Sequence, residues 1–181
     1  MQGTIIYKGK YGATEQYATW AGKELNIPVK VTDECSDSDL AKTDFLVLGT
    51  SVYIGVLVIK EWIKNNIESI AGKKIYLFVV CGTPINETEK LEGYVKSSLP
   101  EQVFKNCKIY YLPGRLIFKK LSWSDKFLLR IGYLLSPKKQ KESMHLTDYD
   151  SVKKENLTEL LIDVRKKMAE NRGSIAGAYT Q

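Results

Sequence analysis

Hydrophobic and polar positions alternate between two periods along this chain. Thr4-Ile5-Ile6-Tyr7 is a short β-branched run that predicts a buried strand, and it runs into the glycine-bearing stretch 8–14. Over 14–25 the apolar residues Tyr17, Ala18, Ala21 and Leu25 recur at helical spacing, with Thr14 placed to cap the first turn and Pro28 lying beyond the end. Val29-Lys30-Val31 predicts a short strand, 33–42 at most a brief helix, and Phe45-Leu46-Val47-Leu48-Gly49 a fully buried strand followed by a loop over 51–55. Helical spacing returns over 56–67 through Ile59, Trp62, Ile63 and Ile67. Ile75-Tyr76-Leu77-Phe78-Val79-Val80 carries the strongest strand signal and ends in the loop Gly82-Thr83-Pro84. A helix over 87–99, a strand over 108–112 and an amphipathic helix over 152–168 complete the alternation.

Strands that alternate with helices imply a parallel sheet, right-handed crossovers and helices on both faces. Five strands fit the doubly wound order 2-1-3-4-5 in a three-layer α/β domain. The chain of 181 residues can bury one core of ordinary size, so we expect one domain over 1–172 and a loose tail over 173–181. The interval 115–150 breaks the rhythm, because a simple doubly wound domain joins its last strand to its last helix in a few residues. It is expected to be an insertion.

In such a sheet, ligands bind at the carboxyl ends of the strands, where the strand order reverses. Three loops converge there. Lys8, Gly9, Lys10, Tyr11, Gly12, Ala13 and Thr14 lie between a strand and a helix N-terminus, where free N–H groups and the helix dipole favour a phosphate; the alternative is a tight turn with no ligand. Ser51, Val52, Tyr53, Ile54 and Gly55, with Gly82, Thr83 and Pro84, should flank whatever ring that phosphate carries. Tyr53 can stack on a flat heterocycle or be an ordinary half-buried aromatic.

Three further motifs turn these expectations toward a particular family. They are Ile5-Ile6-Tyr7 with Gly12 and Thr14; Val47-Leu48-Gly49-Thr50-Ser51-Val52-Tyr53-Ile54-Gly55; and Pro113-Gly114-Arg115-Leu116 followed by Trp123-Ser124-Asp125-Lys126-Phe127. Over about residues 3–170 the chain resembles the flavodoxin-type protoporphyrinogen oxidases of bacteria, and more broadly it is flavodoxin-like. That resemblance implies FMN as cofactor, an FMN-dependent oxidoreductase, and passage of electrons from a protoporphyrinogen to menaquinone. It also implies a segment inserted between the fifth strand and the last helix. Flavodoxin phosphate loops carry hydroxyls where this chain has Lys8 and Gly9, so Thr14 is the only hydroxyl there besides Tyr7 and Tyr11. Lys8 and Lys10 can compensate by charge-assisted hydrogen bonds, or they are solvated surface lysines. Two other readings stay open: an electron-carrying flavodoxin without its own substrate, and a flavodoxin-like domain that has lost FMN.

Charge bears on the insertion. The chain has a formal net charge of +6, and between Arg115 and Met144 eight basic residues face two acidic ones, the same excess. Phe127, Leu128, Ile131, Leu134 and Leu135 share one helical face, flanked by Lys119, Lys120, Lys126, Arg130, Lys138, Lys139 and Lys141. Such a helix, within 124–135 of the basic segment 119–141, can lie on an anionic membrane surface near a quinone, cover an acidic tetrapyrrole, or pack its stripe on the sheet edge or on a second subunit as a homodimer. No nucleic-acid motif accompanies the charge, so nucleic acid is not an expected partner.

Cys35, Cys81 and Cys107 are odd in number and widely spaced, which predicts neither a disulfide framework nor a metal site but buried reduced thiols. No apolar run is long enough to span a bilayer, and the polar Lys8 interrupts any leader, so a cytoplasmic location is expected, with peripheral contact at the inner membrane face as an option. His145 is the only histidine, and no catalytic residue is identified; with no hydrolytic constellation, the flavin would carry the reaction.

Overall fold

The computed structural model describes residues 2–135 and 147–177. Five strands, β1 (Gly3–Lys8), β2 (Val29–Val31), β3 (Phe45–Tyr53), β5 (Lys74–Cys81) and β6 (Cys107–Pro113), form a parallel sheet in the order β2-β1-β3-β5-β6. Counting these five alone, this is the expected 2-1-3-4-5 order. A two-residue strand, β4 (Val56–Leu57), pairs antiparallel with the end of β3.

The alternation of side chains along each strand sends one set to either face. Ile5, Phe45, Val47, Phe78, Val80, Tyr110 and Leu112 pack under α1 (Ala13–Leu25) and α8 (Thr158–Gly177), which contribute Tyr17, Ala21, Leu160 and Val164. Ile6, Leu46, Leu48, Ile75, Leu77 and Val79 form the second core with Ile59, Ile63, Ile70, Val95 and Val103. Those last residues come from or adjoin α3 (Lys60–Asn65), α4 (Ile67–Ile70), α5 (Thr88–Lys96) and α6 (Glu101–Lys105). A short helix α2 (Asp37–Ala41) is closed by a capping box between Ser36 and Asp39.

Several boundaries differ from the sequence pattern for local reasons. The helix expected over 56–67 begins only at Lys60, because Val56 and Leu57 pair with Tyr53 and Val52. The helix expected over 87–99 stops at Lys96, and Pro100 opens a separate one, α6. The last helix reaches Gly177 rather than Met168. The thiols are free, but only Cys81 is buried; Cys35 and Cys107 are partly exposed.

The insertion leaves and rejoins the domain through a small antiparallel ribbon, β7 (Arg115–Leu116) against β8 (Tyr149–Asp150). Between them lie a 3-10 turn at Phe118–Lys120 and helix α7 (Trp123–Leu135). Its apolar stripe does not pack on the sheet: Phe127, Leu128, Ile131 and Leu134 are exposed, as is Trp123 at 82%. Asp125 and Leu129 instead turn inward, the first buried and the second half-buried. His145, Lys138, Lys139 and Lys141 lie outside the described residues.

Candidate functional site

The parallel register brings Lys8, Thr50 and Val79 level across the sheet, so the loops after β1, β3, β5 and β6 emerge on one edge. The first loop closes on α1 through Gly12, whose φ of +81° is open to glycine and strained for other residues. Gly12 occupies the N-cap position and Thr14 sits inside the first turn, nearly fully buried, so the expected Thr14 cap is not formed. No side chain caps this helix. Its first N–H groups have no intrahelical acceptor and can donate to an anion. Gly9 lies so close to Thr14 that a Cβ there would come within 2.7 Å of its Oγ1.

The two loop lysines have separate partners. Lys8 makes a 3.4 Å ion pair with the exposed Asp33. Lys10 reaches across to the insertion, with Nζ 2.8 Å from Asp125 Oδ2 and donating to Oδ1 at 3.0 Å. Oδ2 lacks an aligned hydrogen bond but is satisfied by that charge contact. Burial lowers the Lys10 pKa, and the hydrogen bonds to Asp125 and Tyr53 raise it by more, so the ammonium is held more firmly than an ordinary lysine.

Residues 51–55, expected as a loop, are the tip of a β-hairpin. β3 runs on through Ser51, Val52 and Tyr53, and Ile54 (φ +49°) with Gly55 (φ +74°) supplies the positive-φ pair of a tight two-residue turn. A β-branched residue in that region is strained. The hairpin is tied down by buried donors and acceptors: Leu57 N–H donates to Ser98 Oγ at 3.0 Å and Ile59 N–H to Thr50 Oγ1 at 3.2 Å. Tyr53 donates to Asp125 Oδ1 at 2.6 Å, and Lys10 Nζ stands 3.5 Å from the centre of its ring. One face of the expected stacking surface is therefore covered by an ammonium.

The third loop, Gly82-Thr83-Pro84, follows Cys81 and faces the returning ribbon of the insertion. A Cβ on Gly82 would lie 2.4 Å from the Tyr149 hydroxyl. Gly114 is held against β5 by its N–H donating to Cys81 O at 2.9 Å. Burial pushes the Cys81 thiol up to about 11, which keeps it protonated and unreactive at neutral pH. Arg115 donates to Gln16 Oε1 in the first turn of α1 and pairs with Asp150 at 3.5 Å.

Among the described residues, buried polar side-chain atoms without a hydrogen-bond partner gather at this edge: Tyr11 Oη, Ser51 Oγ and Arg115 Nε, beside the charge-paired Asp125. Buried polar groups are rarely left so; Tyr11 and Ser51 belong to the loops expected from sequence, and Arg115 to the start of the insertion. The hydroxyls of Tyr11 and Ser51 and the guanidinium of Arg115 can donate hydrogen bonds to an anion or another acceptor. No cluster of His, Cys, Asp and Glu among the described residues could hold a metal. No helix among them is long and apolar enough to cross a membrane.

Asp125, Tyr149 and Ser98 were not selected from sequence as site residues. Asp125 carried two signals: it lies within the motif Trp123-Ser124-Asp125-Lys126-Phe127, and it is the lone acid between Arg115 and Arg130. Tyr149 is brought in only by the β7–β8 pairing.

Residues 4–143 match a family model described as a flavodoxin domain. No curated protein matched the sequence. Among solved structures, a flavodoxin from the domain Archaea aligns at 15% identity over 66% of this chain and 87% of its own, with a TM-score of 0.44. The Trp repressor binding protein from Bacillus subtilis aligns at 17% identity over 62% and 83%, with a TM-score of 0.45. An azoreductase from Bacillus anthracis aligns at 11% identity over 62% and 87%, with a TM-score of 0.41.

Proposed function

The chain belongs to the flavodoxin domain family, and from that premise we propose that it binds FMN at the carboxyl edge of the sheet and acts as an oxidoreductase. The donor in this reading is a protoporphyrinogen-like compound and the acceptor a quinone. The observation that carries the cofactor assignment is the convergence of an uncapped α1 N-terminus with the orphaned Tyr11 Oη and Ser51 Oγ. Backbone N–H groups of residues 10–14 would hold the phosphate, with Lys10 and the Thr14 hydroxyl beside it. Ser51 to Gly55 and Gly82 to Pro84 would border the ring, the hairpin being kept in place by Ser98 and Thr50. Bound flavin supplies the chemistry, taking two electrons from a donor and passing them on. The protein's part is to place the ring, exclude water and set the local charge.

An absorbance spectrum of the fresh protein, followed by titration of apoprotein with FMN, tests the cofactor. Flavin bands and saturable fluorescence quenching are expected. Colourless protein that fails to bind FMN would point instead to a domain that has lost its flavin, a reading favoured by the commitment of Lys8 and Lys10 to carboxylates. Anaerobic incubation with protoporphyrinogen, with and without a menaquinone analogue, tests the activity. Quinone-dependent porphyrin formation is expected; its absence, with electron transfer to a partner protein retained, would identify a carrier.

The same proposal places α7 on an anionic membrane surface, at the cytoplasmic face. Its apolar side chains are exposed while Lys119, Lys120, Lys126 and Arg130 surround them and its only described acid is buried against Lys10. Vesicles containing anionic lipid should sediment the protein and high salt should release it. Equal, negligible binding to anionic and neutral vesicles would overturn this placement.

A further inference from the structure

The Lys10, Tyr53 and Asp125 side chains join three segments that are distant in sequence: the β1–α1 loop, the β3–β4 hairpin and the first turn of α7. Asp125 is 4% exposed, and among the described residues its ion-pair partner is Lys10. Its own N–H donates to Ser122 Oγ at 3.2 Å, which fixes it at the start of the helix. A carboxylate this buried is stable only while paired. The ammonium that pairs it rises from the loop in which the phosphate would sit, and it covers one face of Tyr53.

We propose that Asp125 is a positioning residue that latches the insertion over the site and competes with the cofactor phosphate for Lys10. This inference rests on the FMN reading above. A phosphate in the β1–α1 loop draws the ammonium away from Asp125 and repels the carboxylate, so Asp125 turns outward and α7 loosens. Because linkage is reciprocal, the closed latch must weaken phosphate-bearing ligands by the same factor by which those ligands open it. The apolar, basic face of α7 is thereby coupled to the state of the cofactor site.

The test uses the full-length protein and the variant Asp125→Asn, which keeps the shape and an acceptor for Tyr53 but removes the charge. Without any flavin, amide hydrogen exchange over residues 122–131 should speed up about tenfold in the variant, the equivalent of a coupling of order 1.4 kcal/mol, while β3 and β5 are unchanged. FMN should bind the variant about tenfold more tightly, and riboflavin, which lacks the phosphate, equally to both. In the wild-type protein, FMN should accelerate exchange in 122–131 and riboflavin should not. Unchanged exchange in the variant, or a parallel change in FMN and riboflavin affinity, would overturn the latch. Failure of both proteins to bind FMN would remove the proposed function and the competition together, and apoprotein exchange would then decide whether the latch exists.

Discussion

Strand β5 and helix α7 are both rich in large apolar side chains, yet they meet opposite fates. From Ile75 to Cys81 every residue of β5 is buried, with a strand on each side and a helical layer above and below. In α7 Phe127, Leu128, Ile131 and Leu134 are turned to solvent, and the most buried described residue is an aspartate, with Leu129 half-buried beside it. Apolar patterning states only that a surface is available for burial; whether the chain itself provides the cover depends on what is packed opposite. For β5 the cover is intramolecular. For α7 the described contacts to the domain run through Asp125, which pairs with Lys10 and accepts from Tyr53, while Phe127, Leu128, Ile131 and Leu134 stay uncovered.

The sharpest way to break this comparison is a pair of truncations. Phe78→Ala should cost about 3–5 kcal/mol in denaturant unfolding, because Phe78 is fully buried between Tyr17 and the Gly49 backbone. Phe127→Ala should cost less than about 0.5 kcal/mol, since that ring is 54% exposed. Similar costs at both positions would mean that the stripe of α7 is packed after all.

Gly9→Ala comes next. Its Cβ would press on Thr14, which has nowhere to move, and overpacking of this kind costs about 1–3 kcal/mol. Calorimetry should show a lowered Tm, and FMN titration a matching loss of affinity. A variant as stable as the wild type would show that the loop is not held against α1.

The hairpin carries a smaller effect of opposite sign. Ile54→Asn places at φ +49° a residue that tolerates the left-handed region, and relief of about 1 kcal/mol is expected. Tm should rise by a few degrees; a fall would mean that the exposed Ile54 side chain is needed for something other than the turn.

A separate effect is the pH dependence at the alkaline end. Burial raises the Cys81 thiol to about 11 and the Tyr111 phenol to about 12, and packing of the Cys107 side chain against the second core, although the residue is partly exposed, raises its thiol to about 12. Each folded value lies above the unfolded one, about 9 for the thiols and 10 for the phenol. The native state therefore keeps its protons longer, and this stability is complete below pH 9 and is lost as pH rises through the window from 9 to 12. Melting curves between pH 8 and 11 should fall progressively, and Tyr111→Phe should flatten the upper part of the decline. An unchanged slope in that variant would remove Tyr111 from the account.

The sequence by itself determined the alternation of strands and helices, the strand order, the edge on which the loops gather and the position of the insertion. Those features rest on local periodicity and on the handedness of crossovers, which act over neighbouring residues and leave few topologies. Gly12, Gly55 and Gly82 were legible as loop residues for the same reason. Only the tertiary structure decided that residues 51–53 are strand, because their partners Val56 and Leu57 look helical when read alone. It alone decided that Thr14 is packed rather than capping, that Lys10 covers Tyr53, and that Asp125 is buried 115 residues away from its partner. Such contacts depend on which surfaces the folded chain brings face to face, and no local pattern in the sequence encodes that distance.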